Sequence, residues 1–299
     1  MPANERASIL AELTPPFAVY RPVRQTTPFV FCSPHSGRIY PRALREASRL
    51  DALTLRKSED CYVDLLFDWV PEIGAPLLVA HFPRAYLDVN RDEGELDPEL
   101  FIERVPVNAQ TQSLRVSGGL GVIARIVADS EEIYRERFPL AVATERIERL
   151  YRPFHSALDA LLRDTVARFG YAVLIDCHSM PSASTGPHGP ARPDIVLGDR
   201  FGAAADARLV RLARDSLIAL GYDVQLNRPY AGGYITEKYG RPSTGLHALQ
   251  IELNRGLYLD ETNLTPVTGF SELRGYLRSF AVKLIESTEA HFGRRQAAE

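Results

Sequence analysis

Cysteine is scarce: Cys32, Cys61 and Cys177 are the only three in 299 residues, and no two form a Cys-x-x-Cys pair. An odd, scattered set argues against a disulfide framework or a structural zinc knuckle. Cys32 and Cys177 read instead as small core residues at strand ends. No apolar run approaches the roughly 20 residues that span a bilayer. Residues 1–12 also lack the basic region and apolar stretch of a signal peptide. The expectation is a cytoplasmic protein with no membrane partner. Positive charge is not in excess, with a formal net charge of -3 and a pI near 6.2, so no nucleic-acid partner is expected. There is no Gly-x-Gly-x-x-Gly and no phosphate-binding Gly-Lys-Ser/Thr loop, which disfavours dinucleotide and ATP enzymes. A Gly-x-Ser-x-Gly elbow is absent too, although Ser33, Ser36 and Ser179 lie near histidines.

What is present is enough apolar residue, 45% of the chain, to bury a substantial core. Residues 171–175 form an apolar run with β-branched Val173 and Ile175, and residues 28–32 form another. Such runs read as fully buried strands. Further strands are expected at 77–80, 84–91, 195–198, 223–226 and 248–253. Helical spacing predicts helices over 42–50, 63–70, 203–220 and 271–292. The strongest helical signal lies within 131–169, where Ile147, Leu150, Tyr151, Phe154, Leu158, Leu161 and Leu162 make a stripe and Pro139 and Pro153 signal a break or kink. Residues 1–27, with Pro15, Pro16 and Pro22, read as an irregular lead-in. Residues 92–121, 180–193 and 230–245 read as loops, the first long enough to be functional. Strands alternating with helices predict a single-domain α/β fold with a mixed, mostly parallel sheet flanked by helices.

Two histidines follow the two clearest strands: His35 in Ser-Pro-His-Ser-Gly and His178 in Asp-Cys-His-Ser. In an open α/β sheet, ligands bind at that edge, and histidine is the commonest metal ligand. A catalytic zinc has three protein ligands and an open position, so a third is required. Glu59 and Asp60 both qualify, and both also qualify as N-terminal capping acids for the helix at 63. Spacing does not choose between them. Glu252 interrupts an otherwise apolar strand, where a carboxylate is costly without a partner or a task. A salt bridge to Arg255 and a catalytic role are equally open for it. Arg84, Asp88, Asn90 and Arg91 form a polar set whose guanidinium groups suit carboxylate capture.

Six stretches in order, Ser-Pro-His-Ser-Gly, Arg-Ala-Tyr-Leu-Asp-Val-Asn-Arg, Ile-Asp-Cys-His-Ser-Met, Asp-Ile-Val-Leu-Gly-Asp-Arg, Asn-Arg-Pro-Tyr-Ala-Gly-Gly-Tyr-Ile-Thr and Ala-Leu-Gln-Ile-Glu-Leu-Asn-Arg-Gly-Leu-Tyr, resemble the N-formylglutamate amidohydrolase family. The resemblance spans about residues 33–258. It implies a phosphorylase/hydrolase-like, zinc carboxypeptidase-like fold related to aspartoacylase, and a Zn2+-dependent amidohydrolase acting on a small N-acyl amino acid. Histidine catabolism is the family association. It further implies that His35, Asp60 and His178 hold the metal, with Asp60 favoured over Glu59; the compact His-x-x-Glu of the carboxypeptidases is absent, position 38 being Arg38. Glu252 would act as general base and acid and Arg84 would steady the oxyanion. Asn90 and Arg91 would hold the substrate, and Arg125, Arg241 and His247 would line the pocket. His81, His155 and His291 read as structural or surface residues. The rival expectations are a hydrolase for another N-acyl amino acid or small peptide, and a non-catalytic zinc-stabilised binding protein.

Overall fold

The structure is a computed structural model that describes residues 2–127, 130–182 and 192–296. In chain order the elements are α1 (Pro2–Glu12), β1 (Phe17–Tyr20), β2 (Phe29–Ser33), α2 (Arg42–Ala47), α3 (Ala52–Arg56), α4 (Val63–Leu66), β3 (Leu77–Ala80) and α5 (Leu114–Ser117). They continue with α6 (Leu140–Arg146), a π turn (Ile147–Tyr151), α7 (Arg152–Phe169), β4 (Ala172–Met180), β5 (Ile195–Gly198), α8 (Ala207–Ile218) and β6 (Val224–Leu226). The chain closes through α9 (Tyr234–Tyr239), β7 (Leu246–Asn254), β8 (Leu259–Asp260), β9 (Thr265–Pro266) and α10 (Gly269–Gln296).

Seven strands form one sheet in the order β1-β3-β2-β4-β7-β5-β6. β2 pairs with β4, and β4 with β7, in parallel; β5 runs antiparallel to β7 and parallel to β6. This is the mixed, mostly parallel sheet with flanking helices that the alternation of elements predicts. Every residue of β2, β4 and β5 is buried, which is why these strands read as continuous apolar runs rather than alternating ones.

By its contacts the chain divides into two compact units. One comprises Met1–Ala18, Pro34–Cys61 and Leu78–Ala160. Its interior includes a T-shaped pair of Phe101 and Phe138 and the fully buried Arg146, whose guanidinium carbon lies 3.9 Å above the Tyr86 ring. The other comprises Val19–Ser33, Tyr62–Leu77 and Leu161–Glu299. Its core holds the aromatic group of Phe29, Phe31, Phe67 and Trp69 beside β2. On the same unit, α8 carries Leu209, Val210, Ala213 and Leu217 on its buried face.

Four expectations are corrected. Residues 1–27 are not an irregular lead-in: they contain α1 and β1. The prolines lie beyond the end of α1, and its Glu5 is buried against Arg146, a partner that local pattern does not reveal. Residues 84–91 are a series of turns rather than a strand. Here Tyr86 N–H and Leu87 N–H both donate to the Pro83 carbonyl, and the Asp88 carboxylate accepts from Asn90 N–H. Their alternation reflects a polar cluster, not a sheet face. Residues 230–245 contain α9, whose Ile235, Thr236 and Tyr239 are buried. Over 63–70, the helix ends at Leu66 and resumes as a 3-10 turn at Val70–Ile73. Most of the expected loop over 180–193 lies outside the described residues. No helix among the described residues is long and apolar enough to cross a membrane.

Candidate active site

The site begins where β2 ends. Ser33 is its last residue, and His35 lies on the turn that follows. That turn is held close by Gly37, where a Cβ would collide with the carbonyl of Phe82, so a larger residue there would push the turn outward. Asp60 N–H donates to the His35 carbonyl at 3.0 Å, tying the loop before α4 to the His35 turn. Asp60 Oδ2 lies 3.5 Å from His35 Nδ1, with both side chains buried.

The neighbouring acid points elsewhere. Glu59 accepts from the Tyr40 hydroxyl at 2.6 Å and from Arg56 Nε at 3.0 Å. Burial and the adjacent Glu59 carboxylate push the Tyr40 hydroxyl well above its ordinary pKa, so it stays a donor. Geometry thus separates two acids that spacing left equivalent. The capping reading fits neither, because the N-cap position of α4 is Tyr62, in the left-handed region at φ 61°.

The turns at 84–91 add a second tier around His35. Asp88 Oδ1 lies 2.7 Å from His35 Nε2, and Arg84 Nη2 donates to Asp88 Oδ2 at 2.8 Å. Burial alone would raise the Asp88 pKa. The charges of Arg84 and Arg91 and the hydrogen-bonded contact with His35 outweigh it and hold the carboxyl well below its ordinary range. Arg91 is fixed by its own donors, Nε to the Leu120 carbonyl and Nη1 to the Asn90 carbonyl. Asn90 is buried beside it in sequence.

On the sheet, β4 does not end at Ile175 as its apolar run suggests but continues through Asp176, Cys177, His178 and Ser179 to Met180. The reason is a full register with β7, in which Asp176 pairs with Gln250 and His178 with Glu252. Alternation places Asp176, His178, Gln250 and Glu252 on one face of these two strands. His178 Nε2 lies 3.0 Å from Asp176 Oδ1. Glu252 is 7% exposed, and its Oε1 accepts from Gln250 Nε2 at 2.8 Å. Gln250 Oε1 in turn accepts from Gly233 N–H at 2.7 Å, so the glutamate is oriented through a chain of hydrogen bonds. Arg255 Nε donates to Ser179 Oγ at 3.1 Å.

His35, Asp60 and His178 are all buried, each offers one ligand atom, and these atoms lie within 4.8 Å of one another. Two imidazoles and a carboxylate match the donor set of a three-ligand zinc site. Asp88, hydrogen-bonded to His35 Nε2, matches a carboxylate that orients a metal-binding histidine, whereas Asp176 Oδ1 lies 3.0 Å from His178 Nε2 without a hydrogen bond between them. The residues therefore fit a divalent metal. Sequence reasoning did not identify Asp88, Asp176 or Gln250 in these supporting positions. The Asp-x-Asn-Arg and Asp-x-His patterns carried the first two, but that Asp88 meets a ring nitrogen of His35 is visible only in the structure.

The remaining residues expected in the pocket lie as follows. Arg125 donates from Nε to Asp97 Oδ2 at 2.8 Å and is half-buried. Arg241 is exposed before β7, its backbone paired with Leu246. His247 is buried near the start of β7, where its Nδ1 accepts from Asp206 N–H at 3.2 Å. At about 3.3 Å per strand residue, that is roughly 16 Å along β7 from Glu252.

A family model described as N-formylglutamate amidohydrolase matches residues 27–259. The chain belongs to that family. The N-formylglutamate deformylase of Pseudomonas aeruginosa is 30% identical over 280 residues, covering 92% of this chain and 97% of that protein. The N-formylglutamate deformylase of Pseudomonas putida is 29% identical over 238 residues, covering 79% of this chain and 83% of that protein. The crystal structure of the N-formylglutamate amidohydrolase from Ralstonia eutropha JMP134 is 33% identical, with a TM-score of 0.84 over 94% of this chain and 99% of that one. An Agrobacterium tumefaciens gene product, 18% identical with a TM-score of 0.68 over 91% of this chain and 96% of that one, shares the fold.

Proposed function

We propose that this member of the family is a zinc-dependent amidohydrolase that splits N-formyl-L-glutamate into formate and L-glutamate. The observation that carries the reading is the buried group of His35, Asp60 and His178, with Glu252 in register beside His178. The names of the Pseudomonas relatives support the substrate.

His35, Asp60 and His178 would hold the ion. When bound, zinc supplies Lewis acidity to the amide carbonyl and brings the pKa of water towards about 7. Glu252, aimed by Gln250, takes the proton of the attacking water and returns it to the leaving amine, so proton transfer in both directions runs through one carboxylate. Arg84, anchored on Asp88, offers its guanidinium to the developing oxyanion. Arg91 and Asn90 grip a substrate carboxylate, Arg91 with its plane already set by the Leu120 and Asn90 carbonyls. This pre-setting lowers the ordering cost of binding.

The test is formate release from N-formyl-L-glutamate by purified protein, before chelation, after it, and after zinc is restored. Activity that vanishes and returns supports the reading. A zinc-loaded protein that leaves N-formyl-L-glutamate intact while cleaving another N-acyl amino acid moves the substrate assignment, and one silent across such a panel overturns the enzyme reading.

A further inference from the structure

The helix that follows Pro139 is interrupted by the π turn Ile147–Tyr151, where Arg152 N–H reaches back to the Ile147 carbonyl. Turns of this kind are costly in an otherwise α-helical run and concentrate at functional sites. This one has a measurable effect on which residues share a face. An α-helix advances about 100° per residue, so Tyr151 would stand roughly 140° round from Arg146. The wider π turn, closed by Arg152 N–H on the Ile147 carbonyl, reduces that offset, and His155 follows Tyr151 one α-turn later.

All three side chains are buried, and all three donate to backbone carbonyls of the segment 86–91. Arg146 Nη1 donates to the Tyr86 carbonyl at 3.0 Å, His155 Nε2 to the Val89 carbonyl at 2.9 Å, and the Tyr151 hydroxyl to the Arg91 carbonyl at 2.8 Å. That segment has no strand ladder to satisfy its carbonyls, and a buried carbonyl needs a partner. Arg146 is itself fixed: Nε donates to Glu5 at 2.6 Å, Nη1 to the Tyr134 hydroxyl at 2.8 Å, and the Tyr86 hydroxyl also donates to Glu5. The Tyr151 and His155 rings lie against each other with centroids 4.3 Å apart and planes tilted by 44°.

We propose that Arg146, Tyr151 and His155, brought together by the π turn, are positioning residues that clamp the segment 86–91, which carries Asp88, Asn90 and Arg91. The substrate consequence rests on the reading of Asn90 and Arg91 as the carboxylate grip; the clamp itself does not. It sets the arginine and asparagine before substrate arrives, so its loss raises KM more than it lowers kcat.

The experiment compares Tyr151→Phe, His155→Leu and His155→Gln with the zinc-loaded wild type, reading KM, kcat, bound zinc, thermal midpoint and amide hydrogen exchange over residues 86–91. Expected are faster exchange over 86–91 and a KM for N-formyl-L-glutamate raised about tenfold in the first two variants, with kcat and zinc near wild type. His155→Gln, which keeps a donor, should recover both. Exchange unchanged in Tyr151→Phe and His155→Leu overturns the clamp. An Arg91→Lys control separates the two ideas, because an unchanged KM there removes the substrate-grip reading while the exchange result still decides the clamp.

Discussion

His35 Nε2 and Asp88 Oδ1 stand 2.7 Å apart in a pocket where both side chains are almost fully buried. The contact fixes the imidazole so that Nδ1 turns towards Asp60. Because Asp88 also holds Arg84, one carboxylate sets the orientation of the imidazole proposed as a metal ligand and of the group assigned to the oxyanion.

Replacing Asp88 with asparagine keeps the shape and removes the charge. Zinc affinity should fall about 10- to 100-fold, since partners of metal-binding histidines contribute on that scale. Competition with a chelator of known affinity measures it directly. An affinity equal to wild type would remove Asp88 from the metal-orienting role, whatever happened to turnover.

Glu252 is the sharper mechanistic test. Glu252→Gln retains the hydrogen-bonding shape beside Gln250 but cannot accept the water's proton. Turnover should drop by about 100-fold or more with KM and bound zinc little changed. Full activity in the variant would mean that another group carries the proton.

How far these roles were legible in the chain differs from element to element, for physical reasons. Strand β2 and the first half of β4 are buried on both faces, and continuous apolar runs announce that, while in β7 apolar residues alternate with Gln250 and Glu252. His35, His178 and Glu252 stood out because polar residues at the ends or in the interior of such runs are expensive. The turns at 84–91 misled because period-two alternation is shared by a strand and by a polar cluster whose members point at different partners. Helix α1 depends on Glu5 meeting Arg146, and nothing local marks a pairing across 141 positions. Spacing left Asp60 and Glu59 equivalent and the resemblance alone favoured Asp60; in the structure Tyr40 and Arg56 occupy Glu59.

His247 offers a prediction separate from the chemistry. Burial pushes its pKa below the ordinary 6.5, and the Asp206 charge opposes this only in part. Above pH 6.5 both folded and unfolded chains carry a neutral imidazole and the residue adds no pH dependence. As pH falls below 6.5 the unfolded chain takes up the proton first, so it binds more protons and stability drops until the folded-state pKa is passed. The slope from this one group cannot exceed about 1.4 kcal/mol per pH unit. His247→Asn keeps an acceptor for Asp206 N–H and removes the titration. Urea unfolding of both proteins at matched zinc, stepped downward from pH 7.5, should therefore show wild type losing stability relative to the variant only below about pH 6.5. Parallel curves through that range would mean that His247 titrates alike in the folded and unfolded chains.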